Sequence, residues 1–152
     1  MTVREARAAY YESNGFSEPS TSRRWEWVKL GPIGIPILNT RARVRALECH
    51  DVHHLATGYK TDWRGEAEQS AWELGAGCHR YWFAWGINAL GLAMGAVIAP
   101  VRTWRAFRRG LSCTTLYSGP FDPAVLDLSL DALRERLGIE DEVAPAVRRA
   151  AV

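Results

Sequence analysis

Only three cysteines, Cys49, Cys78 and Cys113, occur in the 152 residues, and no two stand in a CxxC pair. Neither a disulfide framework nor a thiolate zinc finger fits that spacing, and reduced thiols in a cytoplasmic setting are the expectation. Lysine is nearly absent: Lys29 and Lys60 stand against 17 arginines, and the net charge is only +2. That balance is too even for a protein that holds nucleic acid by bulk charge, so no nucleic-acid partner is expected. The N-terminus, Met1-Thr2-Val3-Arg4-Glu5, has no apolar run of the kind a secretory signal needs. Internal repeats are missing, and strand-type alternation is nearly so. No histidine precedes His50, and no phosphate loop or G-x-S-x-G elbow is found. These absences argue against an HD-type phosphohydrolase, a P-loop enzyme and a serine hydrolase.

What is present is an average apolar share, 47%, and an unusual seven tryptophans. A chain of this length builds one core. Helix punctuation divides it. Thr2 can cap a helix over residues 3–13, stopped at Asn14-Gly15. A loop follows through Glu18 to Ser22. Between Trp27 and Leu38, Gly31-Pro32, Gly34 and Pro36 forbid a helix and predict an extended, packed arm. Asn39 or Thr40 can cap a helix over 41–57 that stops at Gly58, and Thr61 or Asp62 one from Trp63 to about Gly75, whose small residues suggest close packing. Tyr81–Ala99 carries no charge; Gly86, Asn88, Gly91 and Gly95 dilute it, so a buried helix or helix pair bordering an apolar tunnel or groove is expected in place of a membrane span. Ser129 caps a last helix with Leu130, Leu133 and Leu137 inward and Gly138 behind it. The expected fold class is therefore all-α: a single-domain helical bundle with a non-helical N-terminal arm. Residues 1–24 form an N-terminal helix and loop, 25–139 the helical body, and 140–152 a loose tail.

On the helix of residues 41–57, the 100° step puts Val44, Leu47, Asp51 and Leu55 on one arc with His50 and His54 at its edge. Two histidines one turn apart can grip one cation, Asp51 can add an oxygen, and Glu66 can fold back across the Gly58 turn. The candidate metal set is thus His50, Asp51, His54 and Glu66, suited to zinc and tolerable to Mn or Fe, with a hydrogen-bonded polar cluster as the alternative. The set is not a zinc-protease HExxH, because Asp51 and Val52 follow His50. His53 points away from the arc and reads as a solvated or partner-facing histidine; His79, beside the uncharged stretch, reads as structural. Tyr59, Lys60 and Asp62 lie in the connecting turn, within reach of proton-transfer roles or ordinary capping. Arg102, Arg105 and Arg109 share a helix face, either solvated or an anion or interfacial site, while Trp104, Phe107 and Leu111 share another.

The run His50-Asp51-Val52-His53-His54, eleven residues, then Glu66 resembles the HDxxHx11E signature of the coenzyme Q biosynthesis protein 4 family. The resemblance extends to Arg43-Val44-Arg45, Leu55 to Tyr59, Ala71-Trp72-Glu73-Leu74, Arg105 to Gly110 and Leu130 to Ile139, covering about Trp25 to Ile139. It implies a helical protein with zinc on His50, Asp51, His54 and Glu66, catalytic roles around Glu66, Asp51 and Tyr59, and a homodimer with peripheral membrane contact. The implied activity is that of a lyase-type enzyme of ubiquinone biosynthesis, an oxidative decarboxylase of a prenylated phenolic ring working beside the other enzymes of that synthesis. Two alternatives stand beside it: a non-catalytic scaffold for those enzymes, and a branch acting on a secondary metabolite. The segment Tyr10 to Phe16 has no counterpart in the resemblance.

Overall fold

The computed structural model describes residues 1–16, 25–30 and 33–139. Among them the chain forms a helical bundle: α1 (Val3–Asn14), α2 (Arg41–Thr57), α3 (Trp63–Ala76), α4 (Trp82–Ile98), α5 (Pro100–Gly110) and α6 (Leu130–Leu137), with single 3-10 turns at Leu116–Ser118 and Pro123–Asp127. The expected extended arm is an antiparallel ribbon, β1 (Trp25–Leu30) with β2 (Ile33–Leu38), Trp25 facing Leu38 and Lys29 facing Gly34. The loop at Glu18–Ser22 and the tail from 140 lie outside the described residues.

The helix ends follow their capping chemistry. Thr2 and Glu5 form a reciprocal capping box, and the hydroxyls of Thr40 and Ser129 and the carboxylate of Asp62 accept from the first-turn amides of their helices. Gly15, Gly58 and Gly138 stand at the C-termini with φ of 65°, 75° and 70°, a conformation that a Cβ opposes. Pro100 both follows α4 and opens α5, where its missing amide is no loss.

The N-terminal helix belongs to the same core as the body. Val3 is fully buried, its amide donates to Leu128 O at 2.9 Å, and the Arg4 guanidinium meets Asp127 at 2.7 Å. The α3–α5 crossing is set by glycine: a Cβ on Gly75 would strike Phe107 O, and one on Gly110 would strike Trp72 O. Side-chain-free positions facing each other let the two backbones touch, which is the close packing the small residues of α3 suggested.

Two expectations are corrected. α4 is not a buried helix: only Ala84, Asn88 and Gly95 are buried, while Trp82, Leu90 and Val97 are 79%, 55% and 82% exposed. It packs on α3 and α5 by one narrow strip, where Gly91 fits against Ser70 and Gly95 against Ala67 and Thr103, and the wide remainder of its apolar surface faces outward. Among the described residues no helix is long and apolar enough to cross a membrane. Second, α2 has no solvated back beyond its first turns, where Arg41, Ala42 and Arg45 are exposed. It is covered by α1, α3, α4, α6 and the turn at Leu116–Ser118, so Ala46, Cys49, Val52, His53 and Ala56 are its deepest residues, and Leu47, Asp51 and Leu55 are only half-buried.

Candidate metal centre

The i,i+4 pair of α2 and the first turn of α3 meet as the spacing requires. His54 Nε2 lies 3.2 Å from His50 Nε2, and Glu66 places Oε2 3.4 Å from His50 Nε2 and Oε1 3.5 Å from His54 Nε2. These three side chains form a group able to hold a metal ion. Two donors each about 2.0–2.1 Å from a tetrahedral ion stand about 3.3 Å apart, so the observed edges fit that arrangement.

The outer nitrogens decide which lone pairs face inward. His54 Nδ1 is 2.9 Å from the carbonyl oxygen of Tyr59, which can only accept, so Nδ1 carries the proton and Nε2 offers its lone pair. His50 Nδ1 donates to Glu73 Oε1 at 2.9 Å, with the same result. The donor chemistry, two imidazole nitrogens and a carboxylate, suits zinc and admits Mn or Fe.

Electrostatics keep Glu66 ionised. Burial opposes the charge on Glu66, but hydrogen bonds and charge from His50 and His54 prevail and bring its carboxyl down to about 2. Burial likewise disfavours a charged His50, yet the Glu73 charge and the Glu66 contact outweigh it and hold the imidazole well above its ordinary value. A charged His50 has no lone pair at Nε2, so metal binding must displace that proton.

Asp51 stands outside the three-residue group. Its Oδ2 accepts from the Tyr11 hydroxyl at 2.6 Å, and burial, partly offset by that hydrogen bond, raises its carboxyl. The α1 segment without a counterpart in the resemblance thereby gains a place. The Tyr10 ring stacks over His54 with centroids 6.1 Å apart, and Thr61 donates to Asn14 Oδ1 at 2.7 Å, so the end of α1 sits over the site.

Tyr59 contributes its backbone carbonyl, while its ring lies under the Arg109 guanidinium, 5.8 Å from the centroid. Lys60 is exposed and Asp62 is the cap of α3. Arg102 is held by Glu68 through two hydrogen bonds of 3.0 and 2.5 Å, and Arg105 is exposed. Trp104, exposed, stacks on Phe107. His79 is exposed, with φ of 44°, and its carbonyl accepts from Trp85 Nε1.

His53 is the clear reversal. It is fully buried, its Nδ1 donates to Glu73 Oε1 at 2.8 Å, and its Nε2 accepts the Leu116 amide at 2.9 Å. Both nitrogens are taken, so it is neutral, and burial lowers its titration further than Glu73 raises it. No residue of α2 from Ala46 to Thr57 is exposed, so this stretch has no solvent face for it. Reasoning along the sequence also passed over Glu73, whose only signal was a lone acid in the run Ala71-Trp72-Glu73-Leu74.

A cleft of about 140 Å³ opens beside the trio. His50 and Glu66 stand on its wall with Arg43 and Ser70, and Phe83 and Ile87 of α4 supply apolar surface. The surface it exposes is mostly apolar, with Asn88 and Tyr117 also on its wall. Arg43, itself buried, is bonded to Asn39.

Compared with models of known families the chain finds no match, and no curated protein matches it.

Proposed function

We propose that the chain is a metal-dependent enzyme of ubiquinone biosynthesis that removes the ring carboxyl of a prenylated phenol by oxidative decarboxylation. The observation that carries this reading is the juxtaposition of His50, His54 and Glu66, at the spacing of the HDxxHx11E signature, with an apolar cleft leading to them. When bound, zinc supplies Lewis acidity toward a phenol or carboxylate oxygen, and Mn or Fe in the same ligands adds redox capacity.

The chain's own groups do the rest. Phe83 and Ile87 take the ring and the start of an isoprenoid tail, and exclude water from the trio. The Arg43 guanidinium on the cleft wall draws the ring carboxylate in and orients it. Asp51, with its raised carboxyl and the Tyr11 hydroxyl at 2.6 Å, forms a proton-holding pair beside the ligands. Dioxygen is the oxidant that an oxidative loss of carboxyl calls for.

Peripheral membrane contact belongs to the same reading. No Asp or Glu occurs between Glu73 and Asp122, whereas Arg80, Arg102, Arg105, Arg108 and Arg109 do. With Trp82, Leu90, Val97 and Trp104 exposed, α4 and α5 offer a lipid surface an apolar face bordered by positive charge. The same exposed face is what favours the second reading, a scaffold that docks other enzymes of the synthesis.

The test compares wild type with Glu66→Gln, which keeps the side-chain volume and removes its charge. Both are incubated in air with a carboxylated, prenylated phenol, and loss of the carboxyl group is followed by mass. A fall in turnover of at least about 100-fold with the fold retained is expected. No wild-type turnover with any added divalent metal, together with normal capture of partner enzymes by both proteins, leaves the scaffold.

A further inference from the structure

Glu73 is fully buried and receives five side-chain hydrogen bonds. Oε1 accepts from His50 Nδ1 at 2.9 Å, His53 Nδ1 at 2.8 Å and Gln69 Nε2 at 3.1 Å; Oε2 accepts from Asn88 Nδ2 at 2.6 Å and the Tyr117 hydroxyl at 2.8 Å. A carboxylate only accepts, so each of these groups must present a proton to it. For His53 the consequence is structural, because its other nitrogen is closed by the Leu116 amide. For His50 it is different: the other nitrogen faces His54 and Glu66 at the edge of the cleft.

We propose that Glu73 is the positioning residue of the metal centre, acting through His50 to fix the ring and present its Nε2 lone pair to the ion. The proposal rests on reading the His50, His54 and Glu66 trio as a metal site. An anionic acceptor on the far nitrogen also makes the near one a stronger donor, an arrangement that typically changes metal affinity by 10–100-fold when lost.

Glu73→Gln separates this role from simple support of the core. The amide keeps one oxygen for the histidines, while its NH₂ can meet Asn88 with the Asn88 amide reversed and Tyr117 with its hydroxyl turned toward Ala46 O, 3.4 Å away. Zinc affinity is measured by competition with a chromophoric chelator on wild type, Glu73→Gln, His50→Ala, the double variant and Tyr117→Phe, and the visible spectrum of each is recorded after loading with cobalt(II). Glu73→Gln should weaken zinc by 10–100-fold and shift the cobalt bands, but change affinity by less than about threefold when His50 is already Ala. Tyr117→Phe, which destabilises through the other oxygen of the same carboxylate, should leave zinc affinity within about threefold of wild type.

Glu73→Gln binding zinc as wild type does, an equal loss in both His50 backgrounds, or an equal loss in Tyr117→Phe would each overturn the proposal. Where Glu73→Gln fails to fold, Glu73→Asp draws the carboxylate back by one carbon and is expected to lose at least tenfold; wild-type affinity there overturns it as well. A wild type that binds neither zinc nor cobalt removes the metal centre itself, which the wild-type arm reports separately from any effect at Glu73.

Discussion

α2 and α4 each have 17 residues and opposite relations between composition and burial. α2 carries three arginines, two acids and three histidines, yet eight of its residues are buried, Arg43, His53 and His54 among them. α4 has no charged residue, and three are buried. Burial is therefore set by what surrounds a helix, not by its mean polarity. Polar groups enter the core beside α2 because each finds a partner, His53 at Glu73, His54 at the Tyr59 carbonyl and Arg43 at Asn39, and of the fully buried side-chain N and O atoms among the described residues only Trp72 Nε1 lacks a partner. The apolar chains of α4 stay outside because one strip of glycine and alanine is all that α3 engages. An interior closed by hydrogen bonds suits a metal centre, and an exterior of tryptophan, leucine and valine suits contact with an apolar phase.

The strongest way to break the polar interior is Glu73→Ala. Five donors would lose their acceptor inside the core, and removing one partner from a buried charged network typically costs about 3–5 kcal/mol. Against a total stability of about 5–15 kcal/mol, urea unfolding should show a large loss or no folded protein at all.

The capped ends of the helices were readable because an N-cap is a local event: Thr2, Thr40, Asp62 and Ser129 each bond an amide two or three residues on. His50, His54 and Glu66 were readable for a similar reason, since one helical turn and one glycine turn bring them together. His53 and Glu73 were not, because their partners Leu116, Asn88 and Tyr117 lie between 15 and 63 residues away in sequence. The outward face of α4 was misread because a long apolar run describes surface to be covered without saying by what.

Glycines test the same contrast with opposite signs. Gly110→Ala would push a methyl into Trp72 O and Ala76 N, which are backbone and cannot swing aside, so α5 must retreat from α3 at a cost of about 1–3 kcal/mol. Gly86→Ala, on the exterior of α4 with nothing within 4 Å of the new Cβ, should stabilise by about 0.5–1 kcal/mol through helix propensity. Denaturant midpoints of the two variants should move in opposite directions.

Acidity probes the interior without mutation. His50 titrates above its ordinary 6.5 in the folded state, so its stabilising contribution is complete below about 6.5 and is lost as pH rises through the elevated value. Glu66, lowered from 4.5 to about 2, contributes above about 4.5 and loses that contribution as pH falls toward 2. In the trio's contribution, metal-free protein should therefore weaken on both sides of the interval from about 4.5 to 6.5. Zinc needs both imidazoles deprotonated, so the rise in Tm on adding zinc should be larger at pH 8 than at pH 5.5, as differential scanning calorimetry can check. An equal rise at both values would mean that zinc binds elsewhere.

The exterior should yield the smallest change in stability and a change of a different kind. Trp82 and Val97 are the most exposed apolar side chains of α4, and glutamine is a good helix former, so Trp82→Gln with Val97→Gln should shift unfolding by no more than about 0.5 kcal/mol. If α4 and α5 lie on a lipid surface, the same pair of substitutions should reduce sedimentation with anionic vesicles by at least about tenfold, since each apolar chain withdrawn from lipid forfeits about 25 cal/mol per Å² of contact. Added salt should weaken wild-type binding, because Arg105 and Arg108 then lose their attraction to the headgroups. A wild type that sediments with no vesicle, but whose dimer falls apart in the double variant, would assign the face to a second copy of the chain, and the apolar exterior would then be an interior completed by assembly.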